Sequence, residues 1–395
     1  MVSCTDMYRI SAQISKALGV TDKPFGGLGV ILAGDFAQLP PAGRGASSLY
    51  SNSIGAWSSA HSLHAQQAVL GKALWHQVTT VVILRRNMRQ QGLTPEDCAF
   101  RQALQNMRLK ACTPEDIALL RTRVVTSAGL HHLMSDPNSR NISIITALNS
   151  HRDAINEVSS RRFATENGQQ LVRFHSIDSW SNVRSSDSLR QTQRLQQRAV
   201  DPNRSSGDVL PGIQEMLWAL PPSLTAHRAG ILTLCRDMPV MLKNNEATEL
   251  CATNGAEAYV LSWDSHQDAD GHDILDTLFV RLKNPPQVVQ LPDLPPNVIP
   301  LVRAKTHIKC TLPNDCVVYI DRSQANVLPN FAMTDFGCQG RTRSHNPCHL
   351  RFCKGHQSLY TCLACSASLK GMLILDGIDD SKITGGLNGA LRREF

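Results

Sequence analysis

The apolar residues of the N-terminal region follow a helical period. Within residues 5–18, Met7, Ile10, Ile14 and Leu18 fall on one stripe, which predicts an amphipathic helix. The chain then alternates between short apolar runs and mixed segments. This alternation predicts a strand, a helix and a second strand at Leu28–Ala33, Ala68–His76 and Thr79–Leu84.

Two further helices share one start signal. Residues 94–97 and 113–116 both read Thr-Pro-Glu-Asp, which offers a threonine N-cap, proline at the first helical position and acids in the first turn. A strand at Ile142–Thr146 then leads through Asn149 into another helix. Strands that alternate with helices at this spacing predict a wound α/β domain.

The second half of the chain changes character twice. Residues 181–208 are dominated by Ser, Arg, Gln and Asp, and we interpret them as a solvated linker or surface insertion. From about residue 231 the pattern favours strands separated by Pro, Asn and Gly, which predicts a small β-module. These strands are expected at Val240–Leu242, Ala258–Trp263, Ile274–Leu282 and Cys316–Ile320.

Composition narrows the class of protein. The 395 residues are 42% hydrophobic with a net charge of +7, which is typical of a globular chain with a mild preference for polyanions. We find no apolar run long enough for a transmembrane helix and no secretory signal. We therefore expect an intracellular protein whose 12 cysteines are reduced thiols.

One motif carries candidate chemistry. The run Gly34-Asp35-Phe36-Ala37-Gln38-Leu39-Pro40-Pro41 directly follows the predicted strand Leu28–Ala33. In wound α/β proteins, ligands sit at the carboxyl ends of parallel strands. Glycine allows close backbone approach there, and the glutamine amide can hydrogen-bond a γ-phosphate or its attacking water. By residue pattern alone, a simple polar turn remains the alternative.

The order of several motifs resembles that of the Pif-type and Helitron helicases, which move 5′ to 3′ in superfamily one. GDFAQLPP resembles motif III of that family, and residues 84–90 resemble motif IV, whose arginine is Arg89. Residues 331–342 resemble motif V, and residues 359–363 with 371–375 resemble motif VI and its closing strand. Matches also occur at residues 144–149, 238–242 and 254–255, and the tail from 383 to 395 looks like Pif-type genes of mushroom-type fungi.

The resemblance implies a P-loop NTPase with two RecA-like domains, the first incomplete, and an inserted SH3-like β-module. It implies ATP and Mg²⁺ as cofactors, single-stranded or junction DNA as partner, a monomer, and a location in the nucleus or mitochondrion. The implied roles are catalysis by Gln38 and Arg89, nucleotide binding by Gly34, Asp35, Gln38, Arg89 and Gly340, and DNA binding by Asn149, Thr334, Gln339, Arg341 and Thr342. The implied domains are 1–135 and 136–180 for the first domain and the start of the second, 181–225 for a linker, 226–325 for the β-module, and 326–395 for the rest of the second.

Three departures from the family pattern bear on activity. No G-x-x-x-x-G-K-[ST] phosphate loop occurs, and Met1 aligns just after the carboxylates that hold the metal in the family, which predicts a truncated copy. Cys365 stands where the family has its arginine finger, and Cys338 replaces a serine in motif V. We therefore expect little or no ATPase from this chain. We also expect exposed apolar surface and poor solubility around Leu28–Ala33.

Several alternatives stay open. The chain could be a single-stranded DNA-binding remnant without catalysis, or an intact ATP-driven helicase completed by upstream sequence, acting in repair, recombination, telomere maintenance or transposon replication. A zinc module could use the cysteines between residues 345 and 365. Asn149 could cap the helix that follows it.

Three tryptophans could stack on bases rather than pack in hydrophobic cores, and four basic residues near motif V could contact DNA rather than solvent. The tryptophans are Trp180, Trp218 and Trp263, the basic residues are Arg341, Arg343, Arg351 and Lys354, and the cysteines are Cys348, Cys353, Cys362 and Cys365.

Overall fold

A computed structural model describes residues 2–43, 47–54, 62–125, 141–181 and 208–394. The chain divides into two compact units. The first unit comprises Met1–Arg140, Ile144–Ala147 and Thr334–Phe395, and the second comprises Asn141–Ser143 and Leu148–Met333. Most of the polar stretch 181–208 lies outside the described residues.

The described α-helices number nine. They are α1 Cys4–Leu18, α2 Leu63–Trp75, α3 Pro95–Arg108, α4 Pro114–Arg121, α5 Asn149–Glu166, α6 Pro211–Ala219, α7 Asp335–Cys338, α8 His356–Ala364 and α9 Gly389–Arg392. No helix among the described residues is long and apolar enough to span a bilayer.

The described residues form fourteen strands. They are β1 Ile144–Thr146, β2 Val172–His175, β3 Ile177–Trp180, β4 Ile231–Leu234, β5 Pro239–Leu242, β6 Glu257–Gln267, β7 Asp273–Leu282, β8 Val298–Val302, β9 Ala304–Thr311, β10 Val317–Gln324, β11 Val327–Pro329, β12 Ala332–Thr334, β13 Asn346–His349 and β14 Met372–Leu375.

Local side-chain chemistry explains where the helices of the first unit begin. The hydroxyls of Thr94 and Thr113 accept hydrogen bonds from the backbone N–H groups of Asp97 and Asp116, so α3 and α4 start where the repeated Thr-Pro-Glu-Asp signal predicts. Ser3 caps α1 in the same way. These caps satisfy N–H groups that have no partner inside the helix.

A parallel sheet organises the C-terminal part of the first unit. Strand β13 pairs in parallel with β1 on one side and β14 on the other, with Cys348 opposite both Ile145 and Ile374. Val124 extends the pattern through a parallel bridge to Ile374. Helix α8 lies over the sheet, and Asn346 Nδ2 donates a 2.9 Å hydrogen bond to the carbonyl of Cys362. The predicted wound α/β arrangement is present here.

Two predicted strands do not form. The segments Leu28–Ala33 and Thr79–Leu84 have no strand assignment, and their apolar side chains face solvent. Ile31 is 96% exposed and Leu84 is 89% exposed. A strand exists only when a neighbour satisfies its backbone N–H and C=O groups. No described strand pairs with either segment, so the expectation of exposed apolar surface at Leu28–Ala33 agrees with the structure.

The second unit is built around antiparallel sheets. Its largest sheet has the order β11-β5-β6-β7-β8, a second has β3-β10-β9, and β2 pairs with β4. The larger core contains Val240, Val260, Leu278 and Val280. The strands from residue 231 onward match the predicted β-rich region.

The three tryptophans of the second unit have structural contacts. Trp180 is 2% exposed and belongs to the smaller core. Trp263 packs edge-on against Phe174, and Trp218 donates its indole N–H to the carbonyl of Ser176. Core packing is therefore the better interpretation than base stacking.

A buried ion pair ties three elements of the second unit together. Arg322 in β10 is 1% exposed, and its guanidinium donates to both carboxylate oxygens of Asp178 in β3, at 2.9 and 2.7 Å. It also donates to the carbonyls of Arg228 and Leu217, the latter in α6. The charges are thus neutralised in a site that excludes water.

We expect Asp178→Asn to lower the free energy of unfolding by about 3–5 kcal/mol, because Arg322 keeps its charge without a carboxylate. Urea titration followed by circular dichroism measures the loss. The control is Glu157→Gln, which breaks the exposed pair with Arg161 and should cost at most about 0.5 kcal/mol. Equal losses for the two variants would show that the buried pair has no special role.

Candidate nucleotide and nucleic-acid site

The GDFAQLPP segment forms a turn whose carboxylate is already paired. Asp35 Oδ1 accepts hydrogen bonds from the backbone N–H of Ala37 at 3.0 Å and from Nε and Nη2 of Arg108 at 3.2 and 3.0 Å. Arg108 is the last residue of α3. The Gly34 backbone remains exposed. Asp35 therefore anchors the turn to α3.

Gln38 contacts a residue of the motif V segment. The Gln339 amide donates from Nε2 to Gln38 Oε1 at 3.1 Å, and both side chains are half-buried. The backbone N–H of Gln38 donates to the carbonyl of Asp35, which fixes the turn that presents the amide. Because these two glutamines lie 301 positions apart, the fold brings two sequence motifs into direct contact.

Arg89 joins the same region to motifs V and VI. Its Nε donates to Thr342 Oγ1 at 3.2 Å, and its Nη1 donates to the backbone carbonyl of Ala364 at 2.5 Å. The neighbouring Gln90 is 5% exposed and donates to the carbonyls of Ala364 and Ser366. The two side chains together clamp the C-terminal end of α8.

Sequence reasoning missed Gln90 and Arg108. Gln90 follows Arg89 directly, but nothing in its local pattern distinguishes it from a surface glutamine. Arg108 closes a correctly predicted helix, and a basic residue there is usually explained by the helix dipole. Only the tertiary fold shows that its partner is Asp35.

The two cysteines at departures from the family pattern are buried. Cys338 and Cys365 are 0% and 1% exposed, and the Cys365 thiol donates to the carbonyls of Cys338 and Thr361 at 3.1 and 3.2 Å. Contact with the thiols of Cys362 and Cys365 lowers the pKa of Cys338, and contact with Cys338 raises the pKa of Cys365. Position 365 therefore faces the interior of the first unit.

The remaining motif V residues serve the local backbone. The Thr334 hydroxyl caps α7 by accepting from the backbone N–H of Gly337 at 3.3 Å. Arg341 Nε donates to the carbonyl of Gly337 at 2.7 Å. Gly340 is exposed with φ +81°, and nothing lies within 4 Å of the place where a Cβ would be. The backbone at Gly340 is therefore open to a ligand.

Asn149 belongs to the second unit and does not cap its helix. The N-cap of α5 is Leu148, and Asn149 is the first helical residue. Its Oδ1 accepts from Arg152 Nη1 at 2.7 Å, and its Nδ2 lies 3.2 Å from Nε2 of His227. The capping interpretation is wrong because the side chain is held in this polar network.

The described residues do not support a zinc module at 345–365. Among them, the one set of three or more His, Cys, Asp or Glu ligand atoms within 4.8 Å of one another is Asp268, Asp270 and His272, in the turn between β6 and β7. The four cysteines considered for zinc are buried but do not form such a set. Tetrahedral zinc requires four converging ligands.

Mg²⁺ and a triphosphate also fit the first unit poorly. A triphosphate is normally cradled by backbone N–H groups, a lysine and metal-binding carboxylates. The candidate residues supply Arg89 and Gln38, whereas Oδ1 of Asp35 already accepts from Arg108 and Ala37. The 395 residues contain no G-x-x-x-x-G-K-[ST] sequence. We therefore assign no chemical step to a bound nucleotide.

Comparison with known proteins identifies the relatives of this architecture. Residues 4–116 match the PIF1-like helicase family. In this segment the chain is similar to the PIF1-like helicases. Over 100% of its length it is similar to Bacteroides Pif1 bound to ssDNA, with a TM-score of 0.62, 16% identity and 72% of that chain covered.

Two further structures of Pif1 helicases agree with this relationship. Pif1 helicase from Candida albicans matches with a TM-score of 0.57, 17% identity and 74% of its chain covered. The Bacteroides enzyme in complex with ADP-AlF3 and ssDNA matches with a TM-score of 0.62 and 16% identity. No curated protein sequence matches significantly. The predicted fold class, mixed α/β with the RecA-like architecture of the Pif1 helicases, is confirmed.

We expect thiol reactivity to follow burial. Cys98 is exposed, Cys251 and Cys316 are half-buried, and the other nine cysteines are buried. A thiol-specific chromophore should therefore react fastest with Cys98, and Cys98→Ser should remove that phase. The nine buried thiols should react only after denaturant is added. Rapid reaction of more than three thiols in the folded protein contradicts the packing around Cys338 and Cys365.

Proposed function

We propose that the chain is the motif III-to-VI part of an ATP-dependent 5′-to-3′ DNA helicase, and that alone it binds single-stranded DNA with little or no ATP hydrolysis. One observation carries the proposal: Gln38 and Arg89 contact Gln339 and Thr342 directly. The family resemblance implies that Gln38 and Arg89 sense the nucleotide. It implies that Gln339 and Thr342 bind DNA. Contact between the two sets of residues offers a path by which the bound nucleotide changes the affinity for single-stranded DNA.

Binding of a single strand is supported by the accessible groups around motif V. Thr342 and Gly340 are exposed, and Arg341 and Arg343 are half-buried beside them. The protein also carries a net charge of +7. Cationic and backbone groups of this kind bind phosphates without reading base sequence. The Bacteroides Pif1 to which the fold is similar was crystallised with ssDNA.

Low ATPase is supported by the positions of Arg89 and Cys365. The Arg89 guanidinium is bound to a carbonyl and a hydroxyl of the protein itself. Cys365 cannot supply the permanent charge of an arginine finger, a group worth on the order of 10³–10⁵ in rate in phosphoryl-transfer enzymes. Its burial also means that a longer side chain at this position does not reach solvent without local rearrangement.

We expect the 395-residue chain to bind a fluorescent oligothymidylate without ATP. The affinity should fall steeply between 50 and 200 mM salt, by roughly tenfold or more, because bound phosphates release counterions. Arg341→Gln should weaken binding and reduce the slope of log affinity against log salt by about one. Fluorescence anisotropy measures both. Affinity that does not change with salt excludes binding through the backbone phosphates.

We expect Cys365→Arg to destabilise the protein without restoring ATP hydrolysis. The substitution forces a guanidinium into a buried site that offers only backbone carbonyls, which costs several kcal/mol. Cys365→Ser is the matched control, since its hydroxyl can donate to the same carbonyls. Thermal unfolding and steady-state phosphate release with single-stranded DNA are the measurements. Turnover of about 1 s⁻¹ or more by either variant or the unaltered chain refutes the proposed lack of ATPase.

A further inference from the structure

The second unit contains a cavity of about 550 Å³ that is partly open to solvent. This volume is within the range of sites that hold a small organic ligand. Apolar side chains of Leu171, Ile231 and Val327 form part of the wall. The charged wall residues are mainly basic. They comprise Arg152, Arg161, Arg173, Arg228, Lys243 and Arg322, with Asp153 and Glu157 as the acids.

Three of the basic residues are neutralised by carboxylates. Arg322 is paired with Asp178, as described above. Arg152 is paired with Asp153 and Arg161 with Glu157, each at 2.5 Å. These pairs use both acids of the cavity wall. Oδ2 of Asp153 also lies 3.8 Å from Nδ1 of His227. Among the described residues, neither acid makes an ion pair with Lys243 or Arg228.

Lys243 and Arg228 bind only neutral groups of the described protein. Lys243 Nζ donates to the carbonyl of His227. Arg228 donates to the side-chain oxygens of Asn326 and Asn244, the latter at 2.9 Å. Both residues line the cavity. Two cations therefore lie together in a recess without a directly bound counter-ion.

The environment of Lys243 opposes its positive charge. Burial, followed by the charges of Arg228 and Arg152, lowers the pKa of Lys243 to about 7, against a weaker opposing effect of Asp153. Burial and Arg152 also lower the pKa of His227. Burial lowers the pKa of Arg228, and the negative charge of Glu246 raises it. Glu246 does not make an ion pair with Arg228 and instead accepts a hydrogen bond from Asn326. An anion inside the cavity would relieve this repulsion.

The cavity wall also contains a buried hydroxyl without a partner. Ser160 in α5 is 2% exposed, and its Oγ has no hydrogen-bond partner among the described residues. His227 Nδ1 likewise makes no hydrogen bond, although it lies 3.8 Å from Oδ2 of Asp153. Buried polar atoms are normally hydrogen-bonded, and an unsatisfied one costs about 1–3 kcal/mol. A ligand with several acceptor oxygens would satisfy the Ser160 hydroxyl.

We propose that this cavity is a binding site for a phosphate-bearing ligand of about nucleotide size, held through its phosphate by Lys243 and Arg228. The phosphate oxygens accept from the ammonium and the guanidinium, and Ser160 supplies a further donor. The apolar wall accommodates a sugar or base. A free mononucleotide and one nucleotide of a single strand present this same chemistry.

The site is separate from the residues that support the proposed function. No lining residue belongs to the motif III, IV, V or VI segments. Its closest link to the predicted DNA contacts is Asn149, whose side chain binds Arg152 and His227. Phosphate binding here therefore stands or falls independently of ATP hydrolysis.

The test compares Lys243→Met with Lys283→Met in the full chain. Both variants remove one positive charge, but Lys283 pairs with Glu257 at 3.3 Å and is half-exposed. We expect Lys243→Met to weaken binding of a fluorescent oligothymidylate or of thymidine monophosphate at least tenfold at pH 7, and Lys283→Met to change it less than twofold. Calorimetry with the mononucleotide and with inorganic phosphate accompanies anisotropy with the oligonucleotide.

The pH dependence supplies a second readout. Binding requires the charged ammonium, and the phosphodiesters of an oligothymidylate do not titrate in this range. Affinity for the oligonucleotide should therefore be level below pH 7 and fall by up to about tenfold per pH unit above it. Lys243→Arg stays charged throughout, and its affinity should not change between pH 7 and 9. Lys243→Met should also keep or raise the thermal midpoint of the free protein, because it removes an unpaired buried charge.

The outcomes separate the two ligand sources and the two proposals. Loss of oligonucleotide binding in Lys243→Met places a strand in the cavity, whereas loss of mononucleotide binding alone places a free nucleotide there. Unchanged affinity for the oligonucleotide, the mononucleotide and inorganic phosphate in a folded Lys243→Met overturns the inference while leaving the proposed function intact. If the unaltered chain does not bind the oligonucleotide but binds the mononucleotide in a way that depends on Lys243, the proposed function is overturned and the inference is supported.

Discussion

Backbone pairing of β13 with β1 and β14 is the constraint on which the candidate site of the first unit depends. Those strands fix Asn346, and its amide holds the carbonyl of Cys362 in α8. The end of α8 then presents the carbonyls that Arg89 and Gln90 bind. A sheet of modest size thus positions, through one helix, contacts between residues more than 270 positions apart in the chain.

The second unit contains two opposite solutions to burying charge. Around Arg322 each guanidinium nitrogen donates to a carboxylate or a carbonyl, and the result is a stable structural tie. Around Lys243 the charge has only a carbonyl, beside another cation. Fully satisfied buried charges specify a fold, whereas incompletely satisfied ones are more often found at binding sites.

Local chemistry determined how far sequence reasoning succeeded. The helix starts at Pro95 and Pro114 follow from short-range caps, and the structure has them where they were predicted. The segments Leu28–Ala33 and Thr79–Leu84 carry ordinary strand composition, but strand formation depends on neighbours that composition does not encode. Gln38 and Arg89 were selected from motif order, and their roles stay predictions. Their partners, like the burial of position 365, depend on long-range packing that one sequence does not reveal.

The Arg89 contact with α8 has an evolutionary meaning. Arg89 recognises the main-chain carbonyl of residue 364, and Gln90 recognises those of residues 364 and 366. Every amino acid supplies a main-chain carbonyl, so the side chains at positions 364 and 366 can be substituted in evolution without loss of these hydrogen bonds. The motif can thus lose its chemical signature while its place in the architecture persists. Such main-chain recognition helps a fold outlast the sequence patterns by which it is usually detected.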